Sequence, residues 1–225
     1  MIKVFIGFDS REKIAYDVCK YSIQTRNKDI QIMPLIQSEL RSSGVYLRPE
    51  DKLASTEFSI TRFLVPYLSD YKGISIFMDC DFLVLEDIKK LIDEIDLSKA
   101  ISVVKHDYKP TESTKMDGKL QHHYPRKNWS SLMVFNCDHA SNQKLTKDLV
   151  NNETPQYLHR LNWLDDSEIG EINHTWNYLV GWYNDIKNPK AIHFTEGGPW
   201  FKQYIDCDFS KEWLWEYYLM KQNGL

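Results

Sequence analysis

Short apolar runs at strand spacing alternate along this chain with stretches whose apolar residues recur at helical spacing. The strand-like runs are 3–8, 31–36, 74–78, 101–104, 132–136 and 191–194. Helical spacing appears over 12–25 and 58–68, and shorter helices are predicted at 87–95, 142–150 and 211–221, the last with Ser210 as N-cap. This alternation predicts an α/β fold with a mostly parallel central sheet flanked by helices.

Size and composition narrow the class of protein. A chain of 225 residues with 42% hydrophobic content can bury one core, which predicts a single domain over 1–225. The net charge of -4 comes without a long basic run, so nucleic acid is not expected as a partner. No apolar stretch reaches the roughly 20 residues of a transmembrane segment, and the first residues look like a strand instead of a signal peptide. We therefore expect a cytoplasmic protein.

One long segment breaks the alternation. Residues 106–128 are polar, contain two prolines and a glycine, and have no apolar period. This pattern predicts a loop excursion within the domain, and loops of that length are often functional. We expect the acceptor to contact it.

The clearest chemical signal is Asp79-Cys80-Asp81, which follows the buried strand 74–78 directly. In an extended chain residues i and i+2 face the same side, so the two carboxylates converge while Cys80 points away. Open α/β sheets bind ligands at the carboxyl ends of parallel strands, and oxygen ligands there suit magnesium or manganese bridging a diphosphate. A second copy at 206–208 precedes the last helix, where acids favour the positive end of the helix dipole. We interpret that copy as a helix-start feature.

His193 is the strongest candidate for a third ligand among the seven histidines. It follows a strand-like run and precedes the Gly197-Gly198 turn, where a backbone can approach a phosphate closely. A neutral imidazole is a sound ligand to manganese beside carboxylates. The competing interpretation is a strand-end histidine bonded to the backbone, and the presence of the Asp79 and Asp81 pair in the chain favours the metal ligand.

Residues 61–88, TRFLVPYLSDYKGISIFMDCDFLVLEDI, resemble the donor-site core of the GT-A fold retaining glycosyltransferases, the family of glycogenin and the lipopolysaccharide galactosyltransferases. The family's positions are filled here by Arg62, Pro66, Asp79, Asp81 and Asp87-Ile88. The resemblance implies a single GT-A, Rossmann-like domain and a nucleotide-sugar donor, with UDP favoured. It also implies Mn²⁺ or Mg²⁺ held by Asp79, Asp81 and His193.

Further segments extend this resemblance. KVFIGFDSRE is similar to the family's first strand and its nucleotide-binding end, which implies Phe8 and Asp9 near the base or ribose. WSSLMVFN is similar to a strand that begins N-S-G in the family, which implies Ser130 in the donor site. LDDSEIGEINHTWNYLVG resembles an Asp-Gln segment followed by the pair Trp176-Asn177. This likeness implies a catalytic role for Asp165 or Asp166, in orienting sugar hydroxyls or stabilising the cationic face of the transition state.

The segment AIHFTEGGPWF resembles the family's C-terminal motif H-(F/Y)-x-(G)-x-x-K-P-W. His193, Pro199 and Trp200 match it, whereas Gly198 stands at the lysine position. The diphosphate must then be held by backbone N–H groups of the Gly197-Gly198 turn or by a nearby cation such as Lys202.

Taken together, the resemblance implies departure of a nucleoside diphosphate from a sugar, with retention of configuration and with Arg62 supplying fixed positive charge. The acceptor, whether glycan, lipid-linked or protein, is left open. One alternative is a haloacid-dehalogenase-like phosphohydrolase using Asp79 and Asp81, but that class expects Thr or Val where Leu83 stands. Another is a nucleotide-sugar-binding module without turnover, for which Gly198 is the only argument.

Overall fold

The computed structural model describes residues 2–51, 54–107, 126–183 and 187–224. The strands within these residues are β1 (Lys3–Gly7), β2 (Gln31–Leu35), β3 (Ile74–Met78), β4 (Phe82–Val84), β5 (Ile101–Val103), β6 (Leu132–Asn136), β7 (Ile169–Glu171), β8 (Tyr178–Leu179) and β9 (Ala191–His193). They form a main sheet of order β2-β1-β3-β6-β5-β7 and a small sheet of order β4-β9-β8.

The main sheet is mostly parallel, as predicted. Strand β1 is parallel to β2 and β3, β5 is parallel to β7, and β6 alone runs antiparallel to its neighbours β3 and β5. Strands β1, β3, β5 and β7 therefore end at one edge of the sheet, and β6 begins there. Pro34, which cannot donate to a ladder, is tolerated because β2 is an edge strand.

The helices are α1 (Lys13–Arg26), α2 (Gln37–Ser42), α3 (Val65–Leu68), α4 (Lys89–Asp93), α5 (Lys147–Asn152), α6 (Pro155–His159) and α7 (Ser210–Gln222). The large core packs around the buried strands of the main sheet. A second apolar cluster joins Val18 of α1 and Leu83 of β4 to Trp213 of α7. Helices α1 and α7 are also tied by an ion pair between Arg26 and Glu216, with 2.9 Å between Nη1 and Oε1. The small sheet is therefore packed against α1 and α7.

The helix predicted at 58–68 was wrong in its extent and type. The structure has a 3₁₀ turn at Thr61–Leu64 followed by the short α3, with Pro66 in its first turn. Pro66 has no N–H to donate to the Arg62 carbonyl and its ring crowds that carbonyl, so a regular α-helix does not run through this position.

Two other helix boundaries also differ from the prediction. The helix expected at 142–150 is divided into a 3₁₀ turn at Ala140–Lys144 and α5, because the Thr146 hydroxyl accepts from Leu149 N–H at 3.1 Å and starts a new helix. Ser210 is the first residue of α7 and not its N-cap, a place taken by Phe209 at φ 60°.

Among the residues that the structure describes, none of the helices combines the length and apolar character that a bilayer crossing requires.

Candidate metal and donor site

Asp79, Asp81 and His193 lie together at the edge where β3 ends. One ligand atom from each residue lies within 4.8 Å of those of the other two. The carboxylates follow β3, and the histidine is the last residue of β9. The structure thus brings together the three residues that the sequence proposed as metal ligands.

Strand pairing explains how His193 reaches the carboxylates. Strand β9 pairs antiparallel with β4 so that His193 lies opposite Phe82, the residue after Asp81. The two rings stack with centroids 4.4 Å apart, and the Phe194 N–H donates to the Asp81 carbonyl at 3.0 Å. Cys80 is buried away from the site, and burial raises the pKa of its thiol well above the usual value. The thiol is therefore protonated and does not compete for a cation.

The donor set fits a divalent ion. Oδ1 of Asp81 is buried and has no hydrogen-bond partner within the described residues, and it lies 3.4 Å from Nε2 of His193. A buried carboxylate oxygen without a partner is costly, and a coordinated cation removes that cost. Carboxylate oxygens with one imidazole suit Mn²⁺, and carboxylates suit Mg²⁺ as well.

Arg62 contacts the same site from the turn before α3. Its Nη1 lies 2.9 Å from Oδ1 of Asp79 and donates to the Ser130 carbonyl at 2.8 Å. The guanidinium carbon lies 4.8 Å from the Phe77 ring centroid, and the side chain is almost fully buried. Arg62 therefore places a fixed positive charge beside the carboxylate pair.

Asp9 lies at the carboxyl end of β1, as predicted, but its carboxylate is fully engaged by the protein. Oδ1 accepts from the backbone N–H and Nε of Arg11 at 3.0 and 2.9 Å, and Oδ2 accepts from Arg11 Nη2 and the Glu57 N–H at 2.7 and 3.2 Å. Burial acts to raise the pKa of Asp9, but these donors hold it below its usual value. Each oxygen already accepts two hydrogen bonds, so the expectation that Asp9 contacts base or ribose needs correction. Its neighbour Phe8 packs edge-on against Tyr16 at 5.3 Å.

Glu12 is an acidic residue of this site that the sequence analysis missed. Burial, followed by repulsion from Asp81 and Asp9, raises the pKa of Glu12 to about 8. The residue follows β1 within the N-terminal turn of α1. A signal was present in the sequence, because polar residues after a parallel strand lie at the ligand-binding edge.

Glu12→Gln should change how stability depends on pH in the metal-free protein. The folded state keeps this carboxyl protonated to about pH 8, whereas the ordinary value is 4.5, so its contribution to stability is lost as pH rises between these values. Glutamine does not ionise, so the free energy of unfolding of the variant should rise relative to that of wild type as the pH increases across this window. Urea unfolding at pH 5 and pH 9 measures the difference in unfolding free energy between the variant and wild type. The same difference at both pH values would contradict the raised pKa of Glu12.

The Gly197-Gly198 turn is more constrained than predicted. The Gly197 N–H donates to the Phe194 carbonyl at 2.8 Å, so it is not available to hold a diphosphate, and that part of the expectation is corrected. At Gly198 an added Cβ would lie 2.1 Å from the Trp200 ring. Trp200 itself packs against Phe194 and Trp213, with centroids 5.7 and 5.3 Å apart. Close ring packing thus excludes a side chain where the family has lysine.

Gly198→Ala should destabilise the protein by about 1–3 kcal/mol, the usual cost of overpacking. Gly198→Lys, which restores the family's residue, should lose at least as much because its Cβ meets the same ring. Thermal unfolding of both variants checks this, with Trp200→Leu added to relieve the clash. Variants as stable as wild type would show that the ring moves freely.

The structure does not bring Asp165 or Asp166 to this site. Both residues precede β7, which runs in the same direction as β5 and β3. Asp79 follows the end of β3, so Asp165 and Asp166 lie towards the opposite edge of the sheet. Asp165 forms a capping box with Glu168, and Asp166 is exposed and pairs with Arg126. The position of Asp165 and Asp166 therefore does not support the catalytic role expected for them.

Ser130 lies beside the site just before β6, as expected for the donor strand. Its hydroxyl lies 2.9 Å from Nδ1 of His159, and its carbonyl holds Arg62. The predicted excursion at 106–128 falls mostly outside the described residues, which include only its ends, 106–107 and 126–128. The second Asp-Cys-Asp copy lies in turns before α7, consistent with a helix-start feature.

Comparison with known proteins gives consistent matches. The family model described as glycosyl transferase family 8 matches residues 6–203. Protein CDI of Arabidopsis thaliana is 50% identical over 218 residues, which cover 94% of this chain and 84% of that protein.

Solved structures share the fold. The bifunctional glycosyltransferase WbbM, without ligand, aligns with a TM-score of 0.68 at 18% identity over 96% of this chain and 49% of its own, so this chain spans about half its length. The galactosyltransferase LgtC, solved with donor and acceptor sugar analogues, aligns with a TM-score of 0.57 at 12% identity, over 96% of this chain and 95% of LgtC. Likeness at such identities shows the fold alone, and it confirms the predicted GT-A fold.

Proposed function

We propose that this protein moves a hexosyl unit from a UDP-sugar to an acceptor with retention of configuration. The chain belongs to glycosyl transferase family 8 and is a glycosyltransferase. The family implies a nucleotide-sugar donor. UDP and retention come from the resemblance of residues 61–88 to the glycogenin and galactosyltransferase family. We further propose that residues 1–225 act as one domain.

The observation that carries the proposal is the grouping of Asp79, Asp81 and His193 within 4.8 Å. We propose these residues as ligands to Mn²⁺, or to Mg²⁺. The buried Oδ1 of Asp81 supports a bound cation, because no hydrogen bond from the described residues satisfies this oxygen. When bound, such an ion stabilises the negative charge that develops on a departing diphosphate.

The chain's own residues prepare the site for that charge. Arg62 is held by Asp79 and the Ser130 carbonyl, so its guanidinium is oriented before any donor binds. Preorganised charge of this kind costs no reorganisation during reaction. We propose that Ser130, Gly198 and Trp200 line the donor pocket and that Phe8 borders the base.

The two alternatives are not favoured. A phosphohydrolase of that class would use the first Asp of the pair as its nucleophile, whereas Asp79 is paired with Arg62 at 2.9 Å. Family membership also argues for transfer chemistry. A binding module without turnover rested on Gly198, and ring packing against Trp200 accounts for glycine there without loss of function.

Donor hydrolysis and calorimetry test the proposal together. UDP, GDP and ADP are titrated with Mn²⁺, with Mg²⁺ and with EDTA, and UDP-hexoses are then assayed for release of UDP. We expect UDP to bind tightest, only with a divalent ion, and proton NMR of the released sugar to show the donor's anomer first. Tight binding of UDP in EDTA, or release of phosphate in place of UDP, would refute it.

A further inference from the structure

We infer that Asn177 is a positioning residue that keeps the proton of His193 on Nδ1 and thereby leaves the Nε2 lone pair directed at Asp81. This inference rests on the proposed function, because it explains how His193 is prepared as a ligand. The sequence placed Asn177 only in a Trp-Asn pair of unstated role.

A chain of buried hydrogen bonds fixes the direction of every donor. The Ser131 hydroxyl donates to the Asn128 carbonyl at 2.7 Å, and a carbonyl can only accept. The same hydroxyl oxygen must then accept from Nδ2 of Asn177, which lies 2.9 Å away. This orients the Asn177 amide so that Oδ1 faces Nδ1 of His193, also at 2.9 Å. Since Oδ1 is an acceptor, Nδ1 carries the proton.

When the imidazole carries a single proton, two acceptors compete for it. Oδ1 of Asn177 lies 2.9 Å from Nδ1, whereas Oδ1 of Asp81 lies 3.4 Å from Nε2. If the proton moved to Nε2, it would bond to Asp81 and occupy two of the proposed ligand atoms at once. The shorter contact to Asn177 keeps both atoms available. Partners of this kind orient metal-ligating histidines in other proteins.

The fold holds this arrangement in place. Asn177 lies between the 3₁₀ turn at His174–Trp176 and β8, and β8 pairs parallel with β9 so that Leu179 lies opposite His193. Asn177 is fully buried and His193 is 2% exposed. The proton is therefore set by protein groups before an ion arrives.

The tautomer can be measured directly in the metal-free protein. Two-bond proton–nitrogen correlation NMR of ¹⁵N-histidine protein distinguishes the two forms of a neutral ring, and His193→Gln assigns the signal by removing it. We expect wild-type His193 to be protonated at Nδ1. Asn177→Leu, which keeps the volume without the acceptor, should shift the proton to Nε2, while the exposed His174 stays unchanged as an internal control.

Metal affinity gives the second readout. Titration with Mn²⁺ alone should show Asn177→Leu binding about tenfold to a hundredfold more weakly, the usual effect of losing such a partner. Asn177→Asp retains an acceptor against Nδ1 and should restore most of the affinity. Ser131→Ala removes the group that orients the amide, and it provides a test if the leucine variant does not fold.

The outcomes separate this inference from the proposed function. A wild-type signal protonated at Nε2 overturns the inference, and so does an unchanged tautomer in both Asn177→Leu and Ser131→Ala. A tautomer that shifts as expected supports it even if wild type fails to bind Mn²⁺, a result that would instead refute the metal site. A shifted tautomer with weakened Mn²⁺ binding supports both.

Discussion

Asp81→Asn is expected to abolish Mn²⁺-dependent UDP binding and to lower sugar transfer by at least about 10³-fold. Lewis-acid stabilisation supplies several kcal/mol, and each 1.4 kcal/mol or so is a factor of about ten in rate. The substitution removes one of few hard ligands, because the buried Oδ1 of Asp81 has no hydrogen-bond partner among the described residues and is left to bind an ion. Calorimetry with UDP and Mn²⁺, followed by initial rates at saturating donor, measures both effects.

The second Asp-Cys-Asp copy provides a matched control. Asp208→Asn changes the same residue type in the same local motif, but it lies in the turns before α7, so binding and rate should stay close to wild type. Asp81→Asn should also leave the metal-free protein at least as stable, because it removes the repulsion between Asp81 and Glu12. Near wild-type transfer by Asp81→Asn would show that the ion, if any, binds elsewhere.

Arg62→Met should lower turnover by about 10²–10³-fold, the usual cost of removing one preorganised donor from a reacting centre. It should also destabilise the protein by about 3–5 kcal/mol, because Asp79 keeps its charge and loses its buried partner. Arg62→Lys retains the positive charge but lacks the planar guanidinium, so its turnover and stability should lie between those of wild type and Arg62→Met. Two measurements separate these effects. Turnover is measured at a temperature where all variants are folded, and stability is measured by denaturant unfolding.

Arg26→Met controls for the loss of an arginine as such. It breaks the ion pair with Glu216 that joins α1 to α7, away from the donor site. This variant should lose stability and keep its rate per folded molecule. If Arg62→Met behaves in the same way, Arg62 is structural and the proposed charge stabilisation is wrong.

Long, strongly patterned elements could be predicted from the sequence. Strands β3 and β6 begin and end as expected because they are continuous apolar runs buried within the sheet. Strands β4, β7 and β8 have only two or three residues each, too few to show a period, and they form because neighbouring strands pair with them. The short helix α2 was missed for a related reason, since none of its residues is buried.

The site was predictable where motif and strand end coincide. Asp79, Asp81 and His193 each follow or end a strand, and Arg62 lies at a spacing that returns it to them. Three of the four hydrogen bonds that the described residues donate to the Asp9 carboxylate come from Arg11, only two residues away, and one comes from the distant Glu57. The residue types alone did not show that the Arg11 side chain turns back onto Asp9.

The sequence analysis assigned Asp165 and the Trp-Asn pair to one segment, although the two lie at opposite edges of the sheet. An acid residue before β7 and an amide after it lie at opposite ends of the same strand. Only the pairing of β8 with β9 showed that the amide of Asn177 serves His193.

A crystal structure with UDP and Mn²⁺, with the ion located by anomalous scattering, would show whether Asp79, Asp81 and His193 bind the metal. We predict one ion roughly 2 Å from Nε2 of His193 and from carboxylate oxygens of Asp81 and Asp79, as metal–ligand bonds require, with the diphosphate completing its shell. An ion bound away from His193, or UDP bound at the edge where β3 begins, would contradict the account.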